Sequence, residues 1–279
     1  MTMSATSCGD QASRSFGIVP GDPESTVIIH VPHASRLIPD AVRAGIFLDD
    51  AALDRELDVV TDACTDVIAM MVAARAPVRP WVFVNGCSRL VVDPERDPDG
   101  HKYLDAAGLG VVYTGTSDGF VLRDPSDDEV SGLLVQYFEP YVAALTELVD
   151  QRVAAAGRVV VIDLHSYPLD PVKFEPITAM VRPEIGLGTD AAHTPPELLE
   201  AAHTAFAPFH IDQDTPYEGC YVPPARDEVR NHIQALTVEL RRDLYMDHDL
   251  SFVEPAVEPI VASLSALVSD IDQHAAIRR

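Results

Sequence analysis

Two histidines stand where runs of apolar, β-branched residues end: His33 in "IIHVPHAS" and His165 in "VIDLHSYP". Imidazole is the commonest metal ligand, and two of them converge if their strands end on the same rim of one sheet. Each is followed by a small residue, Ala34 or Ser166, that leaves room beside the ring. The competing reading is a pair of structural histidines held by hydrogen bonds. Asp163 precedes His165 by two positions and so shares its face of the strand. A ligating histidine usually donates its other ring N–H to a carboxylate. Asp163 and Ser166 are therefore expected to support His165 from behind, although Asp163 could do no more than hydrogen-bond to it.

A catalytic zinc takes three protein ligands and keeps one position open. "LDRELDVVTDACTDVIAMM" offers Asp54, Glu56, Asp58, Asp62 and Asp66 as the third. At helical periodicity Val60, Ala63, Cys64, Val67 and Met71 share one side, and Glu56 projects into that stripe. Asp58, Asp62 and Asp66 fall on the opposite arc, as a solvated acidic face would. Periodicity alone selects Glu56 as the buried carboxylate.

Two further stretches carry chemistry. In "SRLVVDPER", Arg89 and Arg96 bracket an apolar core in a chain poor in positive charge. A guanidinium fork fits a carboxylate bidentately, so the pair either recognises an acidic small molecule or bridges to Asp93 or Asp97. In "TVELRR", Glu239 interrupts an apolar strand. A buried glutamate has a raised pKa and can act as a general base; on an edge strand it would face water instead.

The elements that must position these residues read as an alternation. Strands are expected at Thr26 to Val31, Pro80 to Gly86, Arg158 to His165 and Ile233 to Leu240, with a weaker one at Pro176 to Arg182. Helices are expected over Asp50 to Ala74, from a Ser126/Glu129 capping box to Gly157, after Thr194 with Pro195 and Glu197 in the same signature, and over Pro255 to Ile277. Continuously apolar strands alternating with helices imply an α/β fold, a mostly parallel mixed sheet covered on both faces. Residues 1–20 read as a flexible tail and 21–279 as one domain. The polar, proline-bearing stretches Pro94 to Pro125, Tyr167 to Pro176 and Thr215 to Asp227 would build the site beyond the carboxyl ends of the strands.

The 279 residues carry 20 Lys plus Arg against 44 Asp plus Glu, a net charge of −24, which argues against nucleic acid or an anionic membrane as partner. No apolar run is long enough for a transmembrane helix, and the first residues lack a signal peptide's apolar core. Cys8, Cys64, Cys87 and Cys220 show neither metal-knuckle nor disulfide-scaffold spacing, so a cytoplasmic protein with reduced thiols is expected.

Taken in order, these pieces resemble a known set. "IDLHSYP" and "TVELRR" are similar to the histidine-ligand and catalytic-glutamate strands of the zinc carboxypeptidases. The whole chain more closely resembles the N-formylglutamate amidohydrolase family, through "HVPHAS", "TDACTD", "SRLVVDPER", "IDLHS", "LGTD" and "VELRRDLYM", which span Val31 to Met246. The resemblance implies a phosphorylase/hydrolase-like fold and one divalent metal, zinc, on His33 and His165. It implies Asp62 as the carboxylate ligand, against the Glu56 of periodicity, which stays as the alternative. It makes Glu239 the base and gives the substrate carboxylate to Arg89 and Arg96. The implied reaction is hydrolysis of an N-formyl or other N-acyl amino acid, N-formyl-L-glutamate first. Action on peptide-like substrates, or a non-catalytic small-molecule binder of the same fold, are the alternatives. Three departures stand out: Arg36 where the zinc carboxypeptidases have a Glu three residues after the first ligand, "DPER" where the family pattern is "DxNR", and "YEGCYVPP" where a "GGH" loop is usual.

Overall fold

The computed structural model describes residues 15–98, 106–173 and 181–277. Seven strands form one sheet: β1 (Phe16–Val19), β2 (Val27–Val31), β3 (Trp81–Asn85), β4 (Val159–Tyr167), β5 (Ile185–Gly188), β6 (Ile211–Gln213) and β7 (Ile233–Arg241). Their spatial order is β1-β3-β2-β4-β7-β5-β6. The central strands β3, β2, β4 and β7 are parallel, whereas β1 is antiparallel to β3 and β5 is antiparallel to β7. This is the mixed, mostly parallel α/β sheet that the apolar strand runs predict.

Side chains alternate between two apolar layers. Ile29, Ile162, Leu164, Leu236 and Val238 pack against helices Thr65–Arg75, Pro196–Ala205 and Glu254–Ile277. Ile28, Val159, Val161 and Ala235 pack against Tyr141, Leu145, Leu148 and Val149 of helix Glu139–Ala156. The second layer is apolar only over the first half of each strand, and the site begins where it stops.

Four sequence expectations change. The helix expected over Asp50 to Ala74 is two helices, Asp50–Val60 and Thr65–Arg75, separated by a break in which Cys64 adopts a left-handed φ of 64°. Distant groups hold the break: Asp62 N–H donates to His33 O, and the Arg242 guanidinium caps the first helix at the Asp58 and Val59 carbonyls. Second, Phe16–Val19, inside the span expected to be a tail, is an edge strand. Third, the capping signature at Thr194 does not form. Its hydroxyl donates to Ala235 O of β7, and the helix begins at Pro196 with Pro195 as an N-cap that makes no side-chain bond. Fourth, β5 and β6 were not expected, while the strand expected at Pro176 to Arg182 falls largely outside the described residues. The Ser126/Glu129 capping box is present, and a π-helical turn, Leu134–Phe138, follows its first helix. Among the described residues no helix is long and apolar enough to cross a membrane.

Two glycines bring a loop to the sheet. A Cβ at Gly186 would lie 2.8 Å from Thr215 O and 3.1 Å from Glu239 Cβ, and one at Gly188 would collide with Gly219 O. The bare backbone of β5 thus lets the 215–219 segment pass beside Glu239.

The last helix is tied to β2 through buried Asp272, which accepts Thr26 N–H and Thr26 Oγ1, both at 2.8 Å, and Ser25 Oγ at 3.1 Å. Removing the carboxylate strands a buried backbone N–H. Asp272→Ala is therefore expected to destabilise the chain by roughly 1–3 kcal/mol, seen as a lower urea midpoint at unchanged m. Asp272→Asn should recover part of the loss, because an amide oxygen still accepts. Unaltered stability in the alanine variant would show that the helix is held by apolar packing alone.

Candidate active site

On the face covered by helix Glu139–Ala156, each central strand turns polar toward its carboxyl end. Ile28 is followed on that face by His30, Val161 by Asp163 and His165, and Ala235 by Thr237 and Glu239. Register aligns them: His30 lies beside Asp163, Asp163 beside Thr237, and His165 beside Glu239. His33 follows β2 by two residues, Asp62 comes from the helix break, and Arg89, Asp93, Glu95 and Arg96 come from the segment after β3. All except His30 and Asp93 line a cleft of about 670 Å³.

The two imidazoles face each other. His33 Nδ1 is 3.3 Å from His165 Nδ1, and Asp62 Oδ2 lies 2.9 Å from His165 Nδ1 and 3.5 Å from His33 Nδ1. Each ring's other nitrogen meets a second carboxylate: His33 Nε2 is 2.9 Å from Asp93 Oδ1, and His165 Nε2 is 2.9 Å from Asp163 Oδ2. Asp93 is in turn held by Arg89 at 2.6 Å and 3.2 Å and by Tyr113 OH at 3.0 Å. Asp163 also accepts Thr237 Oγ1 at 3.2 Å and lies 2.8 Å from His30 Nδ1. Arg242 stands 3.6 Å from Asp62 Oδ1 and donates to Ser166 Oγ at 3.1 Å.

Burial alone would drive both histidines toward neutrality, and Arg89 adds to this at His33. The surrounding carboxylates reverse it: Asp163, Glu95 and Asp62 hold the His165 pKa well above its usual value, and Asp93, Glu95 and Asp62 raise that of His33. Burial would likewise raise the acids. Bonds to both histidines bring Asp62 well below the usual carboxylate range, Arg89 and His33 do so for Asp93, and His165 and His30 for Asp163. Glu239 is the exception. Burial lifts it to about 7, with Asp62, Asp163 and Glu95 adding to the rise and only His165 opposing it. Its Oε2 is buried with no hydrogen-bond partner.

The arrangement fits a cation. Two ligands on a tetrahedral zinc stand about 3.3 Å apart, and His33 Nδ1, His165 Nδ1 and Asp62 Oδ2 are separated by 2.9–3.5 Å. His33, His165 and Glu95 are also close enough to share an ion, with Glu95 Oε2 at 3.6 Å and 3.4 Å from the two Nε2 atoms. Those Nε2 atoms are engaged by Asp93 and Asp163, the usual orienting contact behind a ligating histidine. The Nδ1 face with Asp62 is the better ligand set.

The structure brings His33, His165, Asp62, Asp163 and Glu239 together in one cleft. Glu56 is buried, as its periodicity implies, but its oxygens accept Ser117 N–H and Oγ–H, and it is not at the histidines. Asp62 leaves the exposed arc because the helix breaks there. Arg89 forms the bridge to Asp93 rather than an open clamp, and Ser166 holds Arg242 rather than His165. Arg96 lines the cleft, with its buried Nε free of hydrogen bonds and 3.5 Å from Asp93 Oδ2. Sequence reasoning missed His30, Asp93 as a histidine partner, and Arg242. The first had a signal, since His30 and Asp163 each sit late in an apolar strand.

Comparison with known proteins gives a family and a fold. The N-formylglutamate amidohydrolase family model matches residues 25–246. The crystal structure of N-formylglutamate amidohydrolase from Ralstonia eutropha JMP134 superposes with a TM-score of 0.75 at 19% identity, covering 95% of this chain and 99% of that one. The product Atu2144 of Agrobacterium tumefaciens gives a TM-score of 0.66 at 18% identity, covering 95% and 97%. A local match to an alanine racemase of Marinobacter nauticus, 36% identical over 86 residues, takes in 30% of this chain and spans only 24% of the racemase. The solved structures share the fold. The family match runs from the start of β2 to beyond β7 and includes every cleft residue named above, and the chain belongs to the N-formylglutamate amidohydrolase family.

Proposed function

We propose that this chain is a metal-dependent hydrolase that cleaves the amide bond of an N-formyl or other N-acyl amino acid, with N-formyl-L-glutamate the first substrate to try. The observation that carries the reading is Glu239, a buried carboxylate with an unpartnered oxygen and a pKa near 7, facing the same cleft as His33, His165 and Asp62. Those three would hold one divalent ion, zinc by donor type, with Asp93 and Asp163 orienting the rings. When bound, the ion supplies Lewis acidity, making water acidic enough to deprotonate near neutral pH and polarising a carbonyl. Glu239 takes the proton from the attacking water and returns it to the leaving nitrogen. Arg96, whose side chain is 30% exposed on the cleft wall, receives the substrate carboxylate, and Arg89 fixes Asp93 and thereby His33. A cytoplasmic location belongs to the same reading, supported by the free thiols Cys64, Cys87 and Cys220.

Glu239→Gln is expected to lower kcat by at least about a hundredfold while metal content stays unchanged. Near-normal turnover would make Glu239 structural.

The same variant has a signature in metal-free protein. A carboxyl raised from 4.5 to about 7 binds its proton more tightly when folded. Its contribution is present below the unfolded pKa and is lost as pH rises through about 7. Glu239→Gln should therefore flatten the fall in stability between pH 5 and pH 8, relative to wild type, in urea titrations. Parallel curves would contradict the raised pKa.

Arg96→Ala should cost about tenfold to a hundredfold in kcat/KM on N-acyl amino acids and leave a neutral formamide unaffected. Arg96→Lys should recover little, because an ammonium lacks the fork. If wild type cleaves the neutral formamide as fast as N-formyl-glutamate, Arg96 holds no substrate carboxylate.

A further inference from the structure

Behind the imidazole pair lies a second group of ligand-type side chains, of which the proposed reaction uses only Asp163. His30 is fully buried at the end of β2. Its Nδ1 is 2.8 Å from Asp163 Oδ1 and 3.6 Å from Glu95 Oε1, and its Nε2 is 2.5 Å from Tyr141 OH. His30, Glu95 and Asp163 are close enough together to share one ion.

Hydrogen bonding alone accounts for part of this group. Asp163 is satisfied by His30, His165 and Thr237. Glu95 is not. Its side chain is only 12% exposed, its Oε1 is buried without a hydrogen-bond partner, and it lies 3.4–3.6 Å from three imidazole nitrogens. Those separations are too long for hydrogen bonds, and the 3.6 Å to His30 Nδ1 is near the roughly 3.3 Å between two ligands of one ion. A buried carboxylate without a partner is costly, and Arg89 and Arg96 are drawn to Asp93 instead.

Both carboxylates also straddle. Glu95 turns Oε1 toward His30 and Oε2 toward His33 and His165, and Asp163 turns Oδ1 toward His30 and Oδ2 toward His165. The second oxygens meet the Nε2 side of His33 and His165, opposite the Nδ1 face assigned to the first ion, so this group stands behind that ion rather than bridging to it. Tyr141 could accept the proton on His30 Nε2 and free Nδ1 for an ion, the orienting role that Asp93 and Asp163 play for the other two rings. Glu95 is also the residue at which "DPER" departs from the "DxNR" pattern.

We propose that His30, Glu95 and Asp163 form a second divalent-cation site, adjacent to the ion assigned to His33, His165 and Asp62. The proposal rests on the metal-dependent reading of the cleft, and its test separates the two. Full-length protein stripped with chelator is titrated with Zn2+ and with Co2+ by calorimetry, and bound metal is counted by elemental analysis after gel filtration. Wild type should bind two ions per chain. Glu95→Gln should bind one, or bind the second about tenfold to a hundredfold more weakly, while Asp62→Asn should weaken the other. His30→Gln serves as an independent variant should Glu95→Gln fold poorly, with the same loss expected. Wild type saturating at one ion that Asp62→Asn weakens would overturn the second site and leave the proposed function standing. Two ions in wild type and undiminished in both Glu95→Gln and His30→Gln would also overturn it, and no bound ion at all would remove both readings.

Discussion

Buried negative charge is the constraint on which this rim of the sheet depends. Asp62, Asp93, Asp163 and Glu239 are each under one-tenth exposed, and Glu95 is nearly so. Arg89, Arg96 and Arg242 offset part of that charge, and the carboxylates in turn raise the proton affinity of the two facing imidazoles. A cation held by His33 and His165 as proposed would compete with protons for the same nitrogens, so its affinity would rise with pH as those protons are shed. The sheet contributes by fixing the acceptors. Register alone puts His165 beside Glu239 and Asp163 beside His30, so no loop rearrangement is needed to assemble the strand-borne half of the cleft.

The other half depends on groups far apart in sequence. Asp62 reaches the histidines only because the helix breaks, and the break is stabilised by Arg242 and by the carbonyl of His33. Arg242 thus acts as a strut between β7 and the ligand-bearing turn. Its guanidinium has donors for the Asp58 and Val59 carbonyls and for Ser166 at the same time, a set that a lysine's single ammonium could not span.

The central strands were legible because β2, β3, β4 and β7 are β-branched, apolar runs whose burial needs no other information. The edge strands were not. "FGIV" and "IGLG" are short and glycine-bearing, and they form strands only because β3 and β7 offer open edges. Periodicity found a buried Glu56 but not its partner, since Ser117 lies some sixty residues away in a loop without a pattern. It put Asp62 on the solvated arc because a helical wheel assumes an unbroken helix, and only resemblance named it. Arg89 and Arg96 look alike in sequence. What separates them is that Asp93 Oδ2 lies 2.6 Å from Arg89 and 3.5 Å from Arg96, and that is a tertiary fact.

The contact between the bare backbone of β5 and the 215–219 segment bears on how this cleft can change over time. Because Gly186 and Gly188 leave no room for a side chain, that wall cannot retreat or advance by substitution within β5. Variation in the shape of this wall is left to what the loop itself carries, Tyr217 foremost. Drift in this lineage should therefore diversify the loop's side chains while the two glycines, Gly186 directly beside Glu239 in the sheet, stay under purifying selection.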